Sequence, residues 1–132
     1  DSLQLDQPGI RYLGNMSFAN VPYALAASDV LAIPHRRSPF MDAGASNKIA
    51  EAMACQRPIV ATRSPNLTAN FPQQAQELEP YLAESSQPSS LATVLAQQLL
   101  DRKLVAAPQN IYWSGITSTL EQDLKRLNHD PA

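Results

Sequence analysis

Residues 45–62 read ASNKIAEAMACQRPIVAT, and the reading of this stretch decides the fold. Ser46 and Asn47 are helix-capping types, because a short side-chain oxygen can accept from the free N–H groups of a first turn. Residues 48–55 follow, rich in alanine and carrying Glu51 and Met53, all acceptable helix formers except Cys55. Pro58 drives the residue before it out of the helical region and stops the helix. Ile59, Val60, Ala61 and Thr62 make a short apolar run of the kind a strand buried on both faces requires. A loop, a helix opening and a following parallel strand create a corner where an anion can sit.

The totals set the frame around this corner. The chain has 132 residues, 44% hydrophobic and 17% charged, with a net charge of −2, which suits one globular domain long enough to bury a core. It carries no basic stripe, so nucleic acid is not a favoured partner. Cys55 stands alone, so no intrachain disulfide can form, and a reducing, cytoplasmic setting is the expectation. Its place in the apolar helix reads as a small core residue. No apolar run approaches the ~20 residues of a membrane span. Residue 1 is Asp, and the chain is expected to be a piece of a longer protein.

Outward from the corner, residues 10–14 (IRYLG) alternate like a strand after the Pro8-Gly9 turn. Asn20 is placed to cap a short helix with Val21, Ala24 and Leu25. Val30, Leu31, Ala32 and Ile33 predict a second buried strand, ended by Pro34. Residues 35–46, HRRSPFMDAGAS, predict a long loop at the carboxyl end of that strand, where open α/β sheets bind ligands. Residues 63–76 hold two prolines, two asparagines and several glutamines and read as mostly loop, and residues 80–83 as a short edge strand. Leu91, Val94, Leu95, Leu99 and Leu100 mark one face of a helix capped by Ser89 or Ser90. Residues 103–132 read as a linker and a closing helix from near Ser114, with Ile116, Leu120, Leu124 and Leu127 on one side. The order predicts an α/β fold, a partial doubly wound, Rossmann-like parallel sheet of three to four strands with flanking helices, in a single domain spanning residues 1–132.

The chemistry expected at the corner follows from its residue types. Free N–H groups and the helix dipole favour negative charge by roughly 0.3–1 kcal/mol at exposed sites. Gly44 lets backbone approach a ligand, and Lys48 adds a point charge. Glu51 sits one turn in, on the Lys48 face, where a carboxylate can accept two hydrogen bonds from a vicinal diol such as a ribose. The alternative is a surface Lys48–Glu51 pair at helical spacing. His35 follows the strand end and could line the cleft. Arg36 and Arg37 read as solvated loop cations, and Glu77, Glu79 and Glu84 as surface carboxylates.

Residues 10–67 carry a family resemblance, through three pieces: GIRYLGNM, which starts at Gly9, NVPYALAASDVLAIP and SNKIAEAMACQRPIVAT. They resemble the later part of the C-terminal donor-binding domain of glycosyltransferase family 4, the group 1 glycosyltransferases of GT-B architecture. The last piece, similar to the family's "K-x-x-E-x-mA-x-G-x-P-vvat", is the most specific. The segment IYWSGITSTLEQDL, residues 111–124, is similar in texture to the family's closing segment.

The resemblance implies retaining transfer of a sugar from a nucleotide diphosphate sugar to an acceptor, without a cofactor or essential metal. It implies that Glu51 holds the donor ribose and that Gly44, Ala45, Ser46, Asn47 and Lys48 face the diphosphate and sugar. The family's other glutamate, eight positions earlier, falls on Ala43 and is missing; Asp42 lies one position out of register. Gln56 stands where the family usually has glycine. The acceptor, whether glycan, lipid or small molecule, would be bound by an N-terminal domain outside these residues, and the whole protein could associate peripherally with a membrane. Other readings are a degenerate, non-catalytic interaction module of the same fold, or a GT-B nucleotide-sugar epimerase. No catalytic residue is assigned, and exposed sheet edges would favour self-association. The 132 residues alone are expected to transfer no sugar; a radiolabelled-donor assay giving turnover above background would contradict this.

Overall fold

Four consecutive buried residues, Ile59, Val60, Ala61 and Thr62, form the central strand of the fold. In the computed structural model, which describes residues 8–44 and 46–129, this strand is β2 (Ile59–Thr62). It pairs in parallel with β1 (Leu31–Ile33) on one edge and β3 (Leu82–Ala83) on the other, giving the order β1-β2-β3. Leu31 stands opposite Ile59 and Ile33 opposite Ala61, while Ala61 also faces Leu82. Helices fill the connections: α1 (Val21–Ala26), α2 (Pro39–Ala43), α3 (Asn47–Ala54), α4 (Pro65–Asn70), α5 (Pro72–Leu78), α6 (Pro88–Asp101) and α7 (Trp113–His129). This is the α/β class and open parallel sheet expected from the sequence.

Helix α3 buries Ile49, Ala52 and Met53 against β1 and β2. Its end is a left-handed turn: Gln56 has φ +52, its N–H donates to the Met53 carbonyl at 3.0 Å, and the Arg57 N–H donates to the Ala52 carbonyl at 3.2 Å. That pair of bonds is a Schellman motif, which usually takes glycine at this position. The chain therefore runs from α3 into β2 through a residue with a Cβ in a region that favours glycine. Cys55 is the half-buried residue that ends the helix, at the rim of the core.

The stretches read as loops at residues 35–46 and 63–76 contain α2, α4 and α5. The physical reason is that proline fits the first turn of a helix, where its missing N–H has no partner to lose. Ser38 and Ser64 each precede a proline and cap the helix that follows, accepting from the N–H of Met41 at 3.2 Å and of Leu67 at 3.4 Å. Ser–Pro is here a start signal. Leu67, Phe71, Ala75 and Leu78 from α4, α5 and the residue between them enter the core.

Other expectations are corrected. Residues 10–14 form no strand; Ile10, Tyr12 and Leu13 are exposed, because alternation makes a strand only beside a partner edge and no described strand pairs with them. Asn20 lies in a 3-10 turn (Phe18–Asn20) and makes no side-chain cap. The cap position of α6 is Gln87, without a side-chain bond, rather than Ser89 or Ser90. Its inner face is Leu91, Val94, Leu95 and Gln98, while Leu99 and Leu100 are exposed. On α7, Ile116, Leu120 and Leu124 are exposed, and the Leu127 side chain lies outside the described part.

Gln98 is fully buried, at 0% exposure, and fully bonded. Its Nε2 donates to the Ile59 carbonyl at 2.9 Å and the Lys103 carbonyl at 3.2 Å, and its Oε1 accepts from the Lys103 N–H at 3.0 Å. It joins α6, β2 and the following linker. Nearby, the Asp101 carboxylate accepts from Gln97 at 2.7 Å and Tyr81 at 2.8 Å, and these bonds, in that order, hold its pKa below the ordinary aspartate value.

Two stability measurements check this account. Gln98→Leu leaves buried backbone groups at residues 59 and 103 unpaired and is expected to cost about 2–4 kcal/mol in urea unfolding; a loss under about 0.5 kcal/mol would contradict it. Gln56→Gly is expected to stabilise by roughly 0.5–1 kcal/mol, read as a rise in Tm, and a fall in Tm would show that the turn is unstrained.

Candidate functional site

The carboxyl end of β1 and the amino end of α3 meet around a cavity of about 450 Å³ lined by His35, Phe40, Met41, Ala43, Gly44, Ser46, Asn47, Lys48 and Asn66. The sheet sets this position, since a parallel strand must deliver the chain to one edge before the crossover helix returns it. The structure brings together five of the sequence-derived candidates: His35, Gly44, Ser46, Asn47 and Lys48. Ala45 lies outside the described residues. Glu51 is exposed and stands one turn further along α3, outside the cavity wall.

Each candidate has a defined setting. Ser46 occupies the cap position of α3, and its carbonyl accepts from Ile49 at 3.1 Å and Ala50 at 3.3 Å. Its hydroxyl makes no capping bond, contrary to the capping role expected of it. The N–H groups of Asn47 and Lys48 precede the helical ladder, and both residues line the cavity. Gly44 has φ −90 and ψ 173, an ordinary extended backbone, and a Cβ there would meet only the Phe40 carbonyl at 3.9 Å. What its missing side chain supplies is open space. Lys48 and Glu51 are both exposed and form no ion pair within 4 Å, so the surface-pair alternative is not realised.

Asp42 does not face the cavity as a free carboxylate. Arg37 holds it through Nη2–Oδ2 at 2.8 Å and two Nε contacts at 3.2 and 3.3 Å. The bond and the charge of Asp42 raise the Arg37 pKa above its ordinary value. Arg37 is an exposed loop cation, as expected, and is in addition paired with Asp42. Arg36 is exposed and makes no ion pair among the described residues. Glu79 and Glu84 lie at the surface and share Arg63. Among the described residues no three His, Cys, Asp or Glu side chains gather as a metal site.

Sequence reasoning missed Asn66 and Asn70, because both lie in the stretch read as loop. Asn66 donates to the Met41 carbonyl at 2.9 Å, and Asn70 to the Gly44 carbonyl at 3.4 Å. Helix α4 thus braces the far wall of the cavity. The Ser64-Pro65 start was the signal available for it. Phe40, 86% exposed, was also missed and forms an aromatic rim.

The chain is thus an α/β domain with an open parallel sheet and a cavity where a strand ends and a helix starts. The sequence model of the family described as glycosyl transferases group 1 matches residues 1–101, and the chain belongs to that family. A general role in glycosyl transfer comes with that membership. The match ends where α6 ends, at Asp101, and covers more of the chain than the motifs in residues 10–67. No curated protein and no solved structure matches the chain. No described helix is long and apolar enough to cross a membrane.

Proposed function

We propose that the chain is the nucleotide-sugar-binding part of a retaining glycosyltransferase. The observation that carries this reading is the cavity at the start of α3, with an unpaired carboxylate, Glu51, one turn beyond it. A donor laid along this helix puts its sugar in the cavity and its diphosphate over the Asn47 and Lys48 N–H groups. Its ribose then falls about 4.5 Å further along the helix axis, the rise of three residues, beside Glu51. The Glu51 carboxylate accepts from the two ribose hydroxyls. The helix start and the Lys48 ammonium stabilise the charge that develops on the leaving diphosphate. The chemistry asks for no metal, since fixed donors and a cation meet that charge. The acceptor, and any contact of the whole protein with a membrane surface, belongs to parts of the site outside these residues.

One observation favours a non-catalytic module. Ala43 lines the cavity without a carboxylate, and neighbouring Asp42 is bound to Arg37. Titration separates the two readings. UDP, GDP or ADP at millimolar concentration is expected to shift the amide resonances of Asn47, Lys48 and Glu51. Glu51→Ala is expected to weaken the binding about 10-fold, the loss of charge-assisted hydrogen bonds. Unchanged resonances in the wild-type chain would support the module, and an unaltered affinity in Glu51→Ala would remove the ribose assignment.

A further inference from the structure

Two buried polar side chains end without a partner at the inner wall of this cavity. Asn66, 6% exposed, uses its Nδ2 on the Met41 carbonyl, while its Oδ1 is buried and accepts nothing. Ser46, 8% exposed, has a buried Oγ that neither caps nor bonds. The setting of the amide is dictated, because turning it over would place oxygen against the Met41 oxygen. Ser46 is also the exception among its peers, since Ser38 and Ser64 at the starts of α2 and α4 both cap. Buried polar groups are almost always paired, so two orphans on residues that line one cavity call for a ligand.

The spaces that the two residues line narrow the choice. Ser46 and Asn66 line both the larger cavity and a second, narrow chamber of about 10 Å³, and the two spaces also share His35 and Met41. That volume admits roughly one water-sized group, so it takes a single oxygen atom and not a ring. The chemistry narrows it further. An amide oxygen only accepts, and a serine hydroxyl can donate. A group that donates to Asn66 Oδ1 and accepts from Ser46 Oγ is a hydroxyl. A phosphate or carboxylate oxygen would face the amide oxygen without a proton between them, and an ammonium group could accept nothing from Ser46.

We propose that Asn66 and Ser46 form a reader for one hydroxyl of the transferred sugar, with a water molecule in its place when no sugar is bound. The inference rests on the nucleotide-sugar reading of the cavity and adds what selects the sugar. The ring occupies the larger cavity, and one hydroxyl projects into the narrow chamber. A donor lacking that hydroxyl leaves both side chains unpaired and is rejected for that reason.

The test separates this claim from the donor reading. The wild-type chain, Ser46→Ala and Asn66→Ala are titrated with UDP, GDP and ADP, and with UDP-glucose, GDP-mannose and ADP-glucose. The quantity read is the ratio of the bare nucleotide's Kd to that of its sugar conjugate, which isolates the sugar's contribution. For the donor the wild-type chain prefers, this ratio is expected to fall about 5-fold in Ser46→Ala and about 10-fold in Asn66→Ala. Ser46→Ala removes a hydroxyl that makes no bond within the protein, so it keeps the test alive should Asn66→Ala, which also loses the Met41 bond, fold poorly. Deoxy forms of the preferred donor then locate the hydroxyl: one position should lose affinity in the wild-type chain and lose less in Ser46→Ala, where only the Asn66 bond remains to be lost. Ratios equal to wild type in the variants, with nucleotide binding intact, would overturn the reader and leave the donor site standing. Equal ratios with a lower Tm would mean that the chamber holds water only, which also overturns it. No binding of any nucleotide or conjugate by the wild-type chain would overturn both.

Discussion

The strand Ile59–Thr62 has no exposed residue, and the rest of the fold answers that constraint. A parallel strand buried on both faces needs a partner on each edge and cover above and below. β1 and β3 supply the edges, and α3 and α6 pack against it. The Ile59 carbonyl receives the amide of Gln98 from 39 residues away in the chain. The Ser46–Asn66 wall is reached from the other end of the same unit. Because β1 must return to β2 through a crossover, α3 starts at the carboxyl edge of the sheet, and its free N–H groups point where a ligand can collect.

The site inherits its rigidity from this arrangement. α3 is held by Ile49, Ala52 and Met53 in the core and by the left-handed turn at Gln56. Helix α4 holds the opposite wall through Asn66 and Asn70, whose amides fix the Met41 and Gly44 carbonyls. The loop between β1 and α3 is thus braced from two sides, and its charged residues are sorted by pairing. Arg37 neutralises Asp42, so the positive character of the cavity comes from Lys48 and the helix start. That suits a diphosphate better than a cation.

What the sequence made legible was local and periodic. Residues 45–62 were readable because their helix, stop and strand are encoded by neighbours: alanines, a proline, a β-branched run. The α/β order followed, and the family motifs within residues 10–67 led to group 1 glycosyltransferases. The errors fell where meaning depends on distant partners. Prolines in residues 63–76 read as breakers, although Pro65, behind the capping Ser64, and Pro72, behind Phe71, each open a helix. The alternation of residues 10–14 signalled a strand, but no described edge receives it. Leu99 and Leu100 were read onto the inner face of α6, where Gln98 stands instead, because a carbonyl 39 residues away needed a donor. Asn66 carried no local signal of its place at the cavity wall.

The most direct test of this account is a structure of the chain with a bound nucleotide sugar. It should show the sugar in the cavity between Phe40 and Asn66, the diphosphate over the amides of Asn47 and Lys48, and the ribose hydroxyls within hydrogen-bond reach of Glu51. A donor found elsewhere would contradict the account, most plainly one seated in the separate cavity of about 460 Å³ between Arg36, Glu84 and the start of α6.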